Sequence, residues 1–246
     1  MDRILHMRTF GMTIRFSSKG QARVTWKDGS NEVCIDQTSF TMGELRRVVH
    51  GLHNTCRDRL VTKLMFLQEE EQLPKLKLSR LFNNLAEIVE RWNFLQDPRN
   101  IEALRHIKRD RWLWKRMLNK EEMEKQFLEG DLDQVASFED LHFSKTGVEE
   151  YFRAVRQFKE ELIVLCHITA GAPARGPEVT SIMHENGEDS RAQRGVFIDH
   201  GLVELVTSYH KGFSHSQKVK VIHRYLPKEV GELVVFYLWL VELFVQ

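Results

Sequence analysis

The sequence contains few cysteines and no long apolar run. Its 246 residues include only three cysteines, Cys34, Cys56 and Cys166, which are widely spaced and odd in number. Such a set argues against a disulfide framework and favours a reducing, intracellular compartment. The longest apolar stretch, Leu233 to Val241, has about half the length that a membrane-spanning helix needs. Its helical spacing predicts a buried helix, so we expect no membrane partner.

Several signatures of nucleotide binding and catalysis are also absent. The sequence has no Gly-x-x-x-x-Gly-Lys-Ser/Thr loop, whose backbone N–H groups would hold nucleotide phosphates. It has neither a Gly-x-Ser-x-Gly motif nor a Cys-x-x-Cys motif. An ATPase or a common hydrolase is therefore not supported, and we expect no cofactor. The formal net charge is +1, so any binding of nucleic acid must come from a local patch of charge.

Apolar residues are abundant enough for a packed core. Hydrophobic residues make up 42% of the chain, which has fifteen Phe and five Trp. The order of patterns predicts a helix-dominated α+β fold. Met12–Phe16 and Ala22–Trp26 alternate apolar and polar residues, and Glu32–Ile35 could form a third strand. We therefore expect residues 1–40 to form a β arm or a small meander.

The apolar period becomes helical after Thr41. Thr41 and Glu44 have the form of a capping box, in which each side chain accepts a hydrogen bond from the other residue's backbone N–H. The helical pattern continues to Pro74. Further helices are predicted at Ser79 to Leu95, Ile101 to Leu118, Lys120 to Leu128, and Val148 to His167.

The last third of the chain changes pattern again. Strands are predicted at Gly195–Ile198, Leu202–Ser208 and Lys218–Tyr225, followed by a helix from Pro227. A loop at residues 130–147 gives the most plausible boundary. We therefore predict a helical region at residues 41–140. A unit of helix, short antiparallel sheet and helix would follow at residues 148–246.

One cluster has side chains that can bind zinc. His50, His53 and Cys56 follow one another at three-residue steps, and Cys34 lies upstream. The third of these residues has rotated well away from the first on a helix of 3.6 residues per turn. Buried cysteine with partly exposed histidine fits the pattern better, so we expect no metal site.

A basic band is predicted on the third helix. The run from Arg105 to Arg116 holds six Lys or Arg against one Asp, interleaved with Trp112 and Trp114. Such a band can neutralise phosphates, and Trp can stack on bases. The alternative is a solvated face with Trp in the core and basic stems beside it. The candidate contacts are Arg105, Lys108, Arg109, Arg111, Lys115 and Arg116.

A Gly/Pro corner at residues 170–176 presents the most informative motif. Arg175 lies near the end of this corner, and Glu178 comes three residues later. A guanidinium can bind phosphate or carboxylate through two hydrogen bonds, and Glu178 could hold it in place. The plainer interpretation is a structural Arg–Glu pair at a helix start.

The motif Arg175-x-x-Glu178-Val resembles the first catalytic box of tyrosine recombinases. In that family the Arg binds the scissile phosphate, and a short sheet follows with a Lys in a hairpin. The resemblance implies that Lys211 is the hairpin lysine. No His-x-x-Arg box follows Lys211 in this chain, and Tyr225 and Tyr237 come too early to be the nucleophile. The resemblance thus implies a truncated recombinase core that cannot cleave DNA.

A second resemblance covers most of residues 80–246. The segments involved resemble the region of fungal RecQ-like, telomere-linked helicase proteins that precedes the motor. They are His167 to Gly176, Gly195 to Asp199, Thr207 to Gly212, Val221 to Pro227, and Tyr237 to Val241. This resemblance implies a nuclear location. The chain stops within an apolar helix at Leu243 to Gln246, so we expect a fragment or a truncated copy of a repeated element.

These patterns together predict a non-catalytic DNA-binding remnant of a helicase-associated, recombinase-like module. Arg175 and Lys211 would contact phosphate, with His223 and Arg224 as further candidates. One alternative is a protein–protein interaction module or a non-functional relic, in which an uncovered C-terminal helix self-associates. Another is a strand-transfer enzyme that a partner chain completes.

Overall fold

The computed structural model describes residues 24–27, 29, 31–35, 38–67, 73–104, 112–119, 121–129, 142–188, 193–209 and 220–245. They fall into two compact units, the first ending at Gly51 and the second beginning at Leu52. Helices and two small antiparallel sheets make up the regular structure of these residues, so the predicted α+β class is confirmed.

The first unit contains an antiparallel meander. Its strands are β1 (Val24–Trp26), β2 (Glu32–Ile35) and β3 (Thr38–Thr41), in that order across the sheet. Val33 of β2 pairs with Phe40 of β3 and is buried. The predicted strand at Glu32–Ile35 is thus confirmed. The strand predicted at Met12–Phe16 lies outside the described residues.

Helix α1 (Met42–Asp58) begins with the predicted capping box. The Thr41 N–H donates to Glu44 Oε2 at 2.7 Å, and the Glu44 N–H donates to Thr41 Oγ1 at 3.1 Å. The first of these bonds lowers the pKa of Glu44, because it favours the carboxylate. The helix continues as a π-helical segment at Arg59–Leu64.

The second unit is mainly helical. Its α-helices are α2 (Ile101–Leu104), α3 (Trp112–Asn119), α4 (Glu121–Phe127), α5 (Lys145–Thr169), α6 (Gly176–Thr180), α7 (Lys228–Phe236) and α8 (Glu242–Val245). A π-helical segment, Tyr237–Val241, joins α7 to α8. Short 3-10 turns occur at Leu78–Arg80, Phe94–Gln96 and Pro98–Asn100.

The prediction of a helix from Ser79 to Leu95 is wrong. Between the 3-10 turns this segment has no regular structure, and Arg91 has a φ of 59°. The buried Arg194 donates to the Asn84 carbonyl at 2.5 Å and to the Glu87 carbonyl at 2.9 Å. Since these carbonyls bond to a side chain from a distant segment, tertiary contacts override the helical spacing of the apolar residues.

The sheet of the second unit agrees with the predicted strands. Strands β4 (Val196–Asp199), β5 (Leu202–Tyr209) and β6 (Lys220–Tyr225) form an antiparallel meander. The β4–β5 turn uses Gly201, which has a φ of +76°. A Cβ at Gly201 would lie 3.1 Å from the Ser79 Cα, so the turn also allows a close backbone approach.

The C-terminal helical segment packs into the core. All residues from Leu233 to Val241 are buried, which confirms the predicted buried helix. Val203 of β5 packs closely against Gly231 of α7. A Cβ at Gly231 would lie only 3.0 Å from a Val203 methyl group. The expectation that this helix exposes an apolar face for self-association is therefore wrong for these residues. None of the described helices has the length and apolar character to cross a membrane.

Candidate functional site

The corner between α5 and α6 presents Arg175. Arg175 is the N-cap of α6, with an extended backbone at φ −77° and ψ 155°. Pro177 lies in the first turn of α6, where a missing N–H costs nothing. The Arg175 side chain is exposed, whereas Glu178 is buried. The sequence motif thus separates into one solvent-facing cation and one buried carboxylate.

Glu178 lies beside a buried guanidinium from β6. Its Oε2 is 3.5 Å from Arg224 Nη2, and each side chain is 8% exposed. Arg224 also donates from Nε to the Ala172 carbonyl at 2.9 Å and from Nη1 to Thr207 Oγ1 at 2.6 Å. The Arg224 side chain therefore joins the corner at residues 170–176 to both β5 and α6.

Arg224 and His223 differ in what they present to solvent. Because Arg224 is buried, its predicted contact with nucleic acid is not available, and its role is to hold the corner. His223 points to the opposite face of β6, and its side chain is 54% exposed. His223 Nδ1 lies 2.5 Å from Oε1 of the buried Glu204.

Lys211 and Tyr225 are the other residues that the recombinase resemblance concerns. Lys211 lies outside the described residues, in the connection between β5 and β6. Tyr225, next to Arg224 on β6, donates its hydroxyl to Asp199 Oδ2 at 2.8 Å. This bond to a carboxylate raises the pKa of Tyr225 to about 12. Tyr225 is therefore harder to deprotonate than a free phenol.

The predicted basic band is described only in part. Arg105, Lys108, Arg109 and Arg111 lie outside the described residues. Lys115 is exposed on α3.

Arg116, also on α3, is half-buried and donates to the carbonyls of Met65 and Phe66, at 3.0 and 2.6 Å. Burial lowers the pKa of Arg116. Its guanidinium thus satisfies carbonyl groups at the end of the π-helical segment Arg59–Leu64, where cations are favourable.

The two tryptophans of this band contribute to packing. The Trp112 ring lies 5.2 Å from the Arg116 guanidinium. The Trp114 ring lies 4.9 Å from that of Phe244 and 6.3 Å from that of Phe143, in edge-on geometries typical of aromatic cores. These contacts match the structural alternative for Trp114.

The structure also contains a second cationic surface, which the sequence motifs did not indicate. A cleft of about 690 Å³ lies between the chain around the first 3-10 turn and the start of α2. We call it the basic cleft; it is lined by Lys75, Leu76, Lys77, Ser79, Arg80, Leu81, Phe82, Arg99, Glu102 and Ala103. The run Lys75-x-Lys77-x-x-Arg80 was a usable signal, since it places three cations within six residues.

Two buried polar residues fix the wall of the basic cleft. Asn100 is fully buried; it accepts the Phe82 N–H at 2.7 Å and donates to the Phe82 and Phe94 carbonyls at 2.7 and 2.6 Å. Asp97 accepts from Arg99 Nε at 2.9 Å and from Arg99 Nη2 at 2.6 Å. The Asp97–Asn100 turn therefore holds both Phe82 and Arg99.

Metal and thiol chemistry gain no support from the described residues. No group of three or more His, Cys, Asp or Glu side chains in this part of the chain could hold a metal ion. Cys56 and Cys166 are buried, and burial raises the pKa of each thiol to about 12. Such thiols are poor nucleophiles, because the thiolate is the reactive form.

Comparisons with known proteins provide no family for this chain. No protein-family model matches it, no curated protein matches it, and no solved structure matches it. The corner at Arg175 and the basic cleft are therefore the features from which a function can be inferred.

Proposed function

We propose that this chain binds DNA without cleaving it, as a non-catalytic module that resembles the core of tyrosine recombinases and a helicase-associated segment. The observation that carries the proposal is the contrast between Arg175 and Arg224. Arg175 is exposed at the corner, while Arg224 is buried and fixes that corner to the sheet. An exposed guanidinium on a fixed backbone can bind a phosphate oxygen pair at a low cost in conformational entropy.

The order of elements supports the same proposal. Helix α5 leads into Arg175, the meander β4–β5–β6 follows, and α7 comes next. This order is the one that the recombinase resemblance implies. In that scheme Lys211, in the β5–β6 connection, would supply a second cation for the phosphate.

The tyrosines of this region support binding without cleavage. A tyrosine that attacks phosphorus must lose its hydroxyl proton before or during the attack. The hydrogen bond to Asp199 raises the pKa of Tyr225 to about 12, and burial raises the pKa of Tyr237. No His-x-x-Arg box follows Lys211. Both hydroxyls are therefore harder to deprotonate than a free phenol, which favours binding without cleavage.

A salt-dependent titration with fluorescein-labelled duplex DNA tests the proposal. We expect Arg175→Ala to weaken binding by about tenfold and to lower the salt slope by about one. The double variant Arg175→Ala, Lys211→Ala should weaken it further. Arg156→Ala, which removes an exposed Arg of α5, is the matched control. If Arg175→Ala and Arg156→Ala both bind like the unmodified chain, the proposal is wrong.

A nicked suicide substrate tests the non-catalytic part. We expect no covalent protein–DNA adduct on a denaturing gel with this substrate. An adduct that disappears in Tyr225→Phe or Tyr237→Phe would instead establish strand transfer.

A further inference from the structure

The basic cleft combines shape and charge suited to an anionic ligand. Its volume of about 690 Å³ lies within the range of about 300 to 1,000 Å³ that is usual for ligand sites. Its lining includes four cationic side chains, Lys75, Lys77, Arg80 and Arg99, against the single carboxylate of Glu102. Asp97 offsets part of the charge of Arg99, and Glu102 offsets a further part of the charge in the lining, so the excess of positive charge lies mainly with Lys77 and Arg80.

Two of these cations are available to a ligand. Lys77 and Arg80 are exposed, and within the described part of the chain neither makes an ion pair. The net charge of the whole chain is only +1, so this clustering is local. A local excess of positive charge attracts phosphate backbones and releases their counterions on binding.

An aromatic side chain lies among these charges. Phe82 is 50% exposed, and the Arg99 guanidinium lies 5.0 Å from its ring centroid. Exposed aromatic rings flanked by cations are the stacking platforms of proteins that bind single strands. The accessible half of Phe82 therefore offers a surface for a base, and not for a phosphate.

The platform is held in place before any ligand arrives. Asn100 bonds to both the N–H and the carbonyl of Phe82, and Asp97 bonds twice to the Arg99 side chain. Both Asn100 and Asp97 are buried. Fixing these groups in the unbound protein lowers the entropy that binding would otherwise cost.

We propose that the basic cleft is a binding site for single-stranded nucleic acid, separate from the corner at Arg175. Phe82 stacks on an unpaired base, and Lys77 and Arg80 contact the adjoining phosphates. Duplex DNA fits this arrangement poorly, because its base faces are already stacked on one another. This inference does not depend on the proposed function of the corner.

Fluorescence polarisation with labelled oligonucleotides tests the inference. The probes are a dT homopolymer, an rU homopolymer of equal length and a blunt duplex of that length. We expect Phe82→Leu to weaken binding of the homopolymers by about tenfold while leaving duplex binding unchanged. Lys77→Gln with Arg80→Gln should lower the salt slope for dT by about 1.4. Comparing dT with rU shows whether the site prefers the DNA or the RNA homopolymer; tight binding of either supports the inference.

Matched control variants on α5 distinguish a specific effect of the basic cleft from a general loss of exposed rings or charge. Phe152→Leu removes a similarly exposed ring from α5, and Arg153→Gln with Arg156→Gln removes two exposed cations there. These controls should bind the homopolymers like the unmodified chain, and so should Arg175→Ala. The Lys77 and Arg80 changes are on the surface, so they remain informative if Phe82→Leu alters folding.

Three results would overturn the inference. One is unchanged dT and rU binding in both cleft variants. Another is a cleft variant that weakens duplex and single-strand binding equally. The third is competition by poly-glutamate as effective as competition by dT at equal charge, which would indicate an acidic peptide ligand. Loss of duplex binding in Arg175→Ala alone would leave this site intact, so the two proposals fail separately.

Discussion

Glu178 and Arg224 form a buried ion pair, with Oε2 and Nη2 separated by 3.5 Å. The pair connects the first turn of α6 to β6, and Arg224 also binds the carbonyl of Ala172 in the preceding corner. The exposed Arg175 lies between these two attachment points along the chain. The position of the exposed cation therefore depends on a charge pair that solvent barely reaches.

Breaking this pair should be costly. In Glu178→Gln the Arg224 guanidinium stays buried without its counter-charge, so we expect a loss of about 3 kcal/mol in the free energy of unfolding. Urea denaturation measures it. The double variant Glu178→Gln, Arg224→Met removes both charges and should recover much of this loss. Strict additivity of the two single changes would show that the two charges do not interact.

Two glycines in helices should respond to alanine in opposite directions. A Cβ at Gly147 in α5 would lie 1.7 Å from the Gln126 carbonyl oxygen, so Gly147→Ala must displace α4. We expect it to lower the free energy of unfolding by about 2 kcal/mol or more. A Cβ at Gly51 would have no neighbouring atom within 4 Å. Gly51→Ala should therefore raise helix stability by about 0.5–1 kcal/mol. Thermal unfolding of the two variants gives the comparison, and equal shifts would contradict it.

The Asp97–Arg99 pair should make stability depend on pH in the acid range. Hydrogen bonds from Arg99 hold the pKa of Asp97 below its ordinary value of about 4. The unfolded chain then binds more protons than the folded one as the pH falls. The stabilisation is therefore complete above about pH 5 and is lost as the pH falls through the lowered pKa.

The variant Asp97→Asn tests this dependence. Asn retains the ability to accept the Arg99 N–H as an N-cap but carries no charge. Urea denaturation at a series of pH values between about 2 and 6 should give a shallower slope than in the unmodified chain. Arg99→Met should flatten the slope in the same way. An unchanged slope in both variants would assign the acid sensitivity to other carboxyl groups.

Local signals were sufficient for part of the fold. The capping box at Thr41 and Glu44 depends on residues three positions apart, so its hydrogen bonds could be predicted from the sequence. The strands β4, β5 and β6 follow from alternation and short turns. The segment from Ser79 to Leu95 has equally regular apolar spacing, but its backbone groups bond to Asn186 and Arg194. No pattern within that segment indicates these distant partners.

The candidate site shows the same limit. His223 and Arg224 are neighbours on a strand, so alternation predicts that they face opposite sides. It does not determine which of them is buried, and that choice depends on Glu178 and Thr207. The basic cleft brings residues 75–82 together with residues 99–103 through Asn100, whose hydrogen bonds only the fold reveals.

Arg194 holds the irregular chain before the Phe94–Gln96 turn in one conformation. Its guanidinium lies between the rings of Trp92 and Phe197, at 4.4 and 4.9 Å, while binding the carbonyls of Asn84 and Glu87. Opening that segment alone would remove the two carbonyls and the Trp92 ring, and would leave the Arg194 guanidinium beside Phe197 and Asn186. This irregular segment is thus bound to the sheet that contains β4. We expect the segment and the sheet to unfold as one cooperative unit.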